Sequence, residues 1–216
     1  MKNELVSFQS ELTDELQSNI LPFWMKRMLD KENGGFYGQI TGQNQLRKMA
    51  DKGAILNARI LWTFSSAYRL FHKKEYYDMA LCARNYIIQY FYDVQFGGIY
   101  WALDYEGNPK DTKKQYYALA FALYGLSEFY RACGDSEALY YAIRIYHTVE
   151  EHSFDTKNNG YWEASARDWS ALEDMRLSEK DENECKTMNT HLHILEGYTG
   201  LYRVWKDEGL YRQLYN

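Results

Sequence analysis

Apolar residues recur at helical spacing over most of the chain, and the stretches that carry this period come in pairs joined by short polar breaks. Paired helices are predicted over about residues 51–71 and 75–92 and over about 111–132 and 136–152, with flanking helices over about 4–30 and 186–206. Short connections within a pair mean that its two helices run antiparallel. Gly134-Asp135-Ser136 marks one such junction. Glycine closes a helix in the left-handed conformation, and Asp or Ser accepts from the free amides that open the next.

Between pairs the period changes. Asp30 precedes Gly34-Gly35-Phe36-Tyr37, Asp93 precedes Gly97-Gly98-Ile99-Tyr100-Trp101, and Asp155 precedes Gly160-Tyr161-Trp162; the aspartates are 63 and 62 residues apart. Each copy follows a helical stretch ending in an apolar residue (Leu29, Tyr92, Phe154), and glycine supplies the positive φ of a tight reversal. The aromatic residues then alternate as in a short strand, and Glu106-Gly107-Asn108-Pro109 reads as a return turn, so each unit is predicted to carry a small hairpin. Open solenoids of helix pairs repeat about every 34–47 residues without such a hairpin. The longer unit fits an all-α toroid of paired helices whose inner helices line a central cleft and whose hairpins form its mouth. A closed barrel of six pairs would need nearly twice this chain. With about three and a half units, residues 1–216 are expected to be the N-terminal part of a single barrel domain, truncated to about half.

Composition narrows the partners. The 46% hydrophobic content supports a substantial core, and 21 Tyr and 6 Trp exceed what packing requires, suiting both helix interfaces and carbohydrate-lined clefts. A net charge of −5 with no Lys/Arg-rich run argues against nucleic acid and anionic membranes as partners. The start, MKNELVSFQSELTDEL, is acidic where a signal peptide would be basic and then apolar, and no run of 18 apolar residues occurs, so a cytoplasmic location is expected. Cys82, Cys133 and Cys185 are odd in number and widely spaced, which predicts reduced, mostly buried thiols with neither a disulfide framework nor a zinc site.

Candidate chemistry concentrates in Met188-Asn189-Thr190-His191-Leu192-His193-Ile194-Leu195-Glu196. His191 and His193, two apart on a helix, point about 200° apart and cannot share a metal. Asn189 and His193 are i and i+4 on one face, able to offer an amide and an imidazole to one ligand. The alternative is that both histidines are hydrogen-bonded core residues. Arg59 lies in the apolar stretch GAILNARILW, where a charge needs either a partner or a wet cleft. Facing a cleft, its guanidinium could stabilise a developing oxyanion; otherwise a buried ion pair would account for it. Tyr116 and Tyr117 could contact a ligand or simply pack. The polar segment from Ser165 to Lys186 is longer than the other connections and is either a cover for the cleft or a solvated loop.

The segments KGAILNARILWTFSSAYRLF, QYYALAFALYGLSEFY and KTMNTHLHILEGYTGLYRVW closely resemble the cellobiose 2-epimerases of the N-acylglucosamine 2-epimerase superfamily, in order and over essentially the whole chain. The combination of MNTHLHxLE with NARILWTFS is the specific part. This resemblance implies an (α/α)6 barrel and epimerisation at C2 of the reducing-end glucose in β-1,4-linked disaccharides such as cellobiose and lactose, through an enediolate and without a cofactor. By motif it assigns Arg59 to the C1/C2 oxygens, His193 and Asn189 to the reacting sugar and Tyr117 to the pocket wall. It also implies that the two proton-exchanging histidines belong to the second half of the barrel; His72, His147 and His152 match no family motif. The 216 residues alone are therefore expected to show little or no activity. A sibling N-acylglucosamine 2-epimerase or aldose–ketose isomerase is the alternative enzyme. As a non-enzyme, a half barrel with exposed flanks would be a helical-repeat binding module prone to self-association.

Overall fold

The computed structural model describes residues 2–216. The chain opens with α1 (Lys2–Glu15), continued by π-helical turns at Leu16–Ile20 and Trp24–Met28 around one α turn, α2 (Leu21–Phe23). Pro22, which has no amide to donate to the preceding turn, lies between the two π turns. The predicted pairs follow as α3 (Ala54–Phe71) with α4 (Lys74–Tyr86, ending in a π turn at Ile87–Phe91), and α5 (Tyr116–Cys133) with α6 (Ser136–His152). The last two helices are α7 (Met188–Val204) and α8 (Glu208–Tyr215). At the α5–α6 junction Gly134 adopts φ 75°, and the Asp135 carboxylate accepts from the Ala138 amide, as the capping sequence requires.

Helices α3, α5 and α7 pack side by side as an inner row, with α4 against α3, α6 against α5 and α8 against α7. α5 is enclosed by three neighbours and is buried around most of its circumference, which its apolar sequence demands. Glycine sets the inner spacing. A Cβ on Gly125 would lie 2.8 Å from the Ala58 carbonyl oxygen, and one on Gly197 would lie 2.9 Å from that of Ala120. Either backbone approach is closed to a larger residue. No helix among the described residues is long and apolar enough to cross a membrane. Leu5, Val6, Phe8 and Leu12 of α1 are exposed.

The predicted hairpins are only partly realised. In the second unit β2 (Ala102–Leu103) pairs antiparallel with β3 (Pro109–Asp111) around Gly107, as expected. β2 also pairs with β1 (Lys52–Gly53) of the unit before, and β4 (Lys114–Gln115) pairs with β5 (Ala164–Ser165) of the unit after. These strands stitch neighbouring units together, and among the described residues the third unit has no return strand of its own. The thiols also depart from expectation. All three are free, but only Cys82 is half-buried, whereas Cys133 and Cys185 are exposed. Cys133 ends its helix and Cys185 lies in the long linker, so neither is carried into a packed face.

Each Asp-led turn is built identically, and each contains a partner the repeat did not announce. Asp30, Asp93 and Asp155 accept from the amides two and three residues ahead, closing the reversal. Positive φ falls at Gly34 and Gly35, at Gly97 and Gly98, and at Asn159 and Gly160, where asparagine substitutes for the first glycine. A lysine from the segment before the next inner helix then reaches back: Lys52 to Asp30 at 2.8 Å, Lys114 to Asp93 at 2.9 Å and Lys186 to Asp155 at 2.7 Å. Each ammonium also donates to a carbonyl within the turn, at Gly34, Gly97 or Asn159. The first two pairs are fully buried.

Burial alone would push the Asp30 and Asp93 carboxyls up. Hydrogen bonds from Lys52 and the Asn33 and Glu32 amides to Asp30, and from Arg167 and Lys114 to Asp93, outweigh burial and hold both below the usual carboxylate range. An unfolded aspartate takes up its proton at about pH 3.9. The stabilisation from these pairs is therefore complete above about pH 4 and is lost as the pH falls from there towards the native values. Denaturant midpoints should fall on acidification below about pH 4, and Asp93→Asn should make that fall shallower. An equally steep acid limb in the variant would remove the pair as its source.

Candidate active site

Because each turn lysine precedes its inner helix by the same interval, the three helices present their residues in register. Arg59, Phe121 and His193 are each the seventh residue after Lys52, Lys114 and Lys186. They form one layer across α3, α5 and α7. The Arg59 guanidinium carbon sits 4.6 Å over the Phe121 ring, and the His193 ring lies 4.5 Å from Phe121 on its other flank. Tyr117, one turn earlier on α5, meets His193 edge-on at 4.6 Å. One turn deeper, Trp62 stacks on Tyr124 at 5.2 Å, and Glu196 takes the matching position on α7. A cavity of about 290 Å³ opens there between Tyr124, Glu196, Thr199, Gly200 and Arg203.

Arg59 is exposed and has no ion pair among the described residues, so the buried-pair account of it falls away. Stacked on Phe121, it keeps its charge facing open space. The two histidines divide. His191 donates from Nδ1 to the Thr187 carbonyl and accepts at Nε2 from the Tyr161 amide, so both nitrogens serve the fold. His193 uses only Nδ1, against the Glu196 carboxylate at 2.6 Å. Tyr117 is mostly buried and forms the wall behind the imidazole. Asn189 is exposed and lies nearer the start of α7, lining a second cavity of about 190 Å³ with Glu163, Met175, Arg176, Asp181 and Glu184. The structure thus unites Arg59, Tyr117 and His193 through Phe121, and sets Asn189 in a separate cavity.

The first turn of α7 is fixed from below. Buried Glu163 accepts from the Thr187 amide at 2.7 Å and the Thr190 hydroxyl at 2.6 Å, a carboxylate at a helix start where the backbone dipole favours it. The linker from Ser165 to Lys186 is tied down over the second and third turns. Arg167 pairs with Asp93 at 2.9 Å, the Trp169 ring stacks on His152 at 4.3 Å, and Gln115 donates to the Met175 and Arg176 carbonyls. The other histidines lie elsewhere: His72 caps α3, and His147 packs on Tyr146 and Trp205. Neither Phe121 nor Glu163 carries a local signal in the sequence, and Glu196 stands there only as the last residue of the histidine segment, without a role of its own. Counting seven from each lysine would have found the first, and Glu196 lies three residues beyond His193.

Residues 35–213 match the N-acylglucosamine 2-epimerase (GlcNAc 2-epimerase) family. The chain belongs to that family. It is 64% identical over 208 residues to the cellobiose 2-epimerase of Bacteroides fragilis, a match covering 96% of this chain and 53% of the relative. The cellobiose 2-epimerase of Ruminococcus albus is 45% identical over 92% of this chain and 50% of its own length. The solved structure of cellobiose 2-epimerase from Bacillus thermoamylovorans superposes with a TM-score of 0.92 at 44% identity, covering 97% of this chain and 54% of that one. The chain spans about half the length of the curated relatives it matches, and its helix pairs correspond to half of a family barrel.

Proposed function

We propose that the protein carrying this chain is a cellobiose 2-epimerase: it inverts C2 of the reducing-end glucose of β-1,4-linked disaccharides, converting cellobiose to glucosyl-mannose and lactose to epilactose. Residues 1–216 would form the N-terminal part of a single (α/α)6-barrel catalytic domain. The observation that carries this reading is the layer of Arg59, Phe121 and His193 on three successive inner helices. In the open-chain sugar the C1 carbonyl acidifies the C2 proton, and its removal leaves an enediolate. A guanidinium held over an aromatic face is suited to neutralising the C1 and C2 oxygens as that charge develops. His193 and Asn189 contact the reacting sugar, with the imidazole as hydrogen-bonding partner to its oxygens, and Tyr117 walls the pocket. Proton transfer moves no net electrons, so the reaction needs no redox cofactor. A cytoplasmic location accords with three free cysteines. Self-association of the isolated chain would use the uncovered apolar residues of α1.

Epimerisation requires an acid and a base on opposite faces of C2, and the family resemblance assigns both proton-exchanging histidines to the second half of the barrel. Residues 1–216 alone should give no measurable turnover. A chimera in which this chain replaces the matching 208 residues of the Bacteroides fragilis enzyme should convert cellobiose, read by NMR as a mannose-type reducing-end anomeric signal. Absence of that signal together with conversion of mannose to fructose would overturn the reading in favour of an aldose–ketose isomerase. The 64% identity to a cellobiose 2-epimerase favours the disaccharide reaction.

A further inference from the structure

His193 and Glu196 carry an inference that rests on the epimerase reading and refines it. Nδ1 of His193 lies 2.6 Å from Oε2 of Glu196. A carboxylate can only accept, so Nδ1 bears the proton and Nε2 the lone pair. Nε2 has no hydrogen-bond partner among the described residues and is not among the buried unpaired atoms, so it is accessible. The ring cannot swing freely, because Tyr117 meets it edge-on and Phe121 lies at 4.5 Å. Glu196 itself faces the inner cavity beside Tyr124 and Arg203. This is more than an exposed helix pair at i, i+3: the carboxylate holds one nitrogen of an imidazole whose other nitrogen is the only one free to meet a ligand.

We infer that Glu196 is a positioning residue for His193. It selects the Nδ1–H tautomer and thereby aims an unprotonated Nε2 at the sugar as a hydrogen-bond acceptor. When Nε2 takes a proton, the carboxylate stabilises the resulting imidazolium without accepting that proton itself. Among the described residues the ring meets Glu196 from its own helix and Tyr117 from α5, and the nearby cation of the layer, Arg59 of α3, packs on Phe121.

Long-range proton–nitrogen correlation spectra of the ¹⁵N-histidine-labelled 216-residue chain, recorded at about pH 9 where an ordinary imidazole is neutral, report the tautomer directly. His193 should be the Nδ1–H form in the parent and in Glu196→Gln, whose amide oxygen still accepts, and should move largely to the Nε2–H form in Glu196→Ala. An Nε2–H form in the parent, or an unchanged tautomer in Glu196→Ala, would overturn the inference. In the active chimera Glu196→Ala should lower kcat about 10–100-fold with KM nearly unchanged, the usual scale for loss of a group that orients a ligating or catalytic histidine. An unchanged kcat would equally overturn it. A chimera with no epimerase activity would sink the parent reading, while the tautomer spectra would still decide the role of Glu196.

Discussion

Lys52→Met is expected to destabilise the chain by about 3–5 kcal/mol, the scale for removing one member of a buried ion pair. Lys52 and Asp30 are both fully buried, and among the described residues no second cation pairs with Asp30, unlike Asp93, which also holds Arg167. Methionine fills the lysine stem but leaves the Asp30 carboxylate buried without its cation, and it removes the ammonium that lay 5.0 Å over the Tyr86 ring. It also strips the Gly34 carbonyl of its donor. Equilibrium denaturation should therefore show a lower midpoint at an unchanged slope. Adding Asp30→Asn should recover more than half of the loss. The neutral amide still accepts from the Glu32 and Asn33 amides and removes the stranded charge. Lys186→Met should cost clearly less, because that pair is partly open to solvent. Equal losses at Lys52 and Lys186 would mean that burial is not what gives these pairs their weight.

The contrast between the aspartates and their lysines shows what could be read from the chain in advance. Asp, Gly and aromatic residues sit within eight or nine positions of one another, so the turn is a local pattern and its recurrence is visible. The helix pairs are legible for the same reason: the apolar period lies within each segment, and the ends of α3, α5, α6 and α7 fall close to where that period stops. The lysines answer across 22, 21 and 31 residues, and in isolation a lysine before a helix looks like solvated surface. Strand pairing failed at the third unit for a related reason. Ala164 and Ser165 have the character of a strand, but their partner is the lysine segment of the preceding unit.

At the site the sequence offered residue types without neighbours. Arg59 was conspicuous because a charge interrupts an apolar helix, and His193 because it stands in a dense polar motif. Nothing local distinguishes Phe121 from the other aromatic residues of α5, and nothing local says that His191 is consumed by a backbone amide 30 residues earlier. Only the register common to all three helices turns Phe121 into the surface on which the guanidinium and the imidazole meet.

That shared surface gives Arg59 the largest expected effect on activity. In the chimera with the Bacteroides fragilis enzyme, Arg59→Met should lower kcat about 10²–10³-fold, the usual loss when one group stabilising a developing oxyanion is removed. An interaction made mainly with the enediolate lowers kcat and kcat/KM together, whereas one made equally with the bound sugar raises KM alone. Arg59→Lys should recover only part of the loss, because an ammonium neither lies flat on Phe121 nor reaches two oxygens at once. Phe121→Leu should reproduce some of the defect without touching either charged residue, since it removes the platform beneath both. Stability should hardly change on Arg59→Met, for the side chain is exposed and has no ion pair among the described residues. If Arg59→Met keeps kcat within about threefold of the parent, or loses stability as steeply as activity, the guanidinium belongs to the scaffold and the oxyanion must be met from elsewhere.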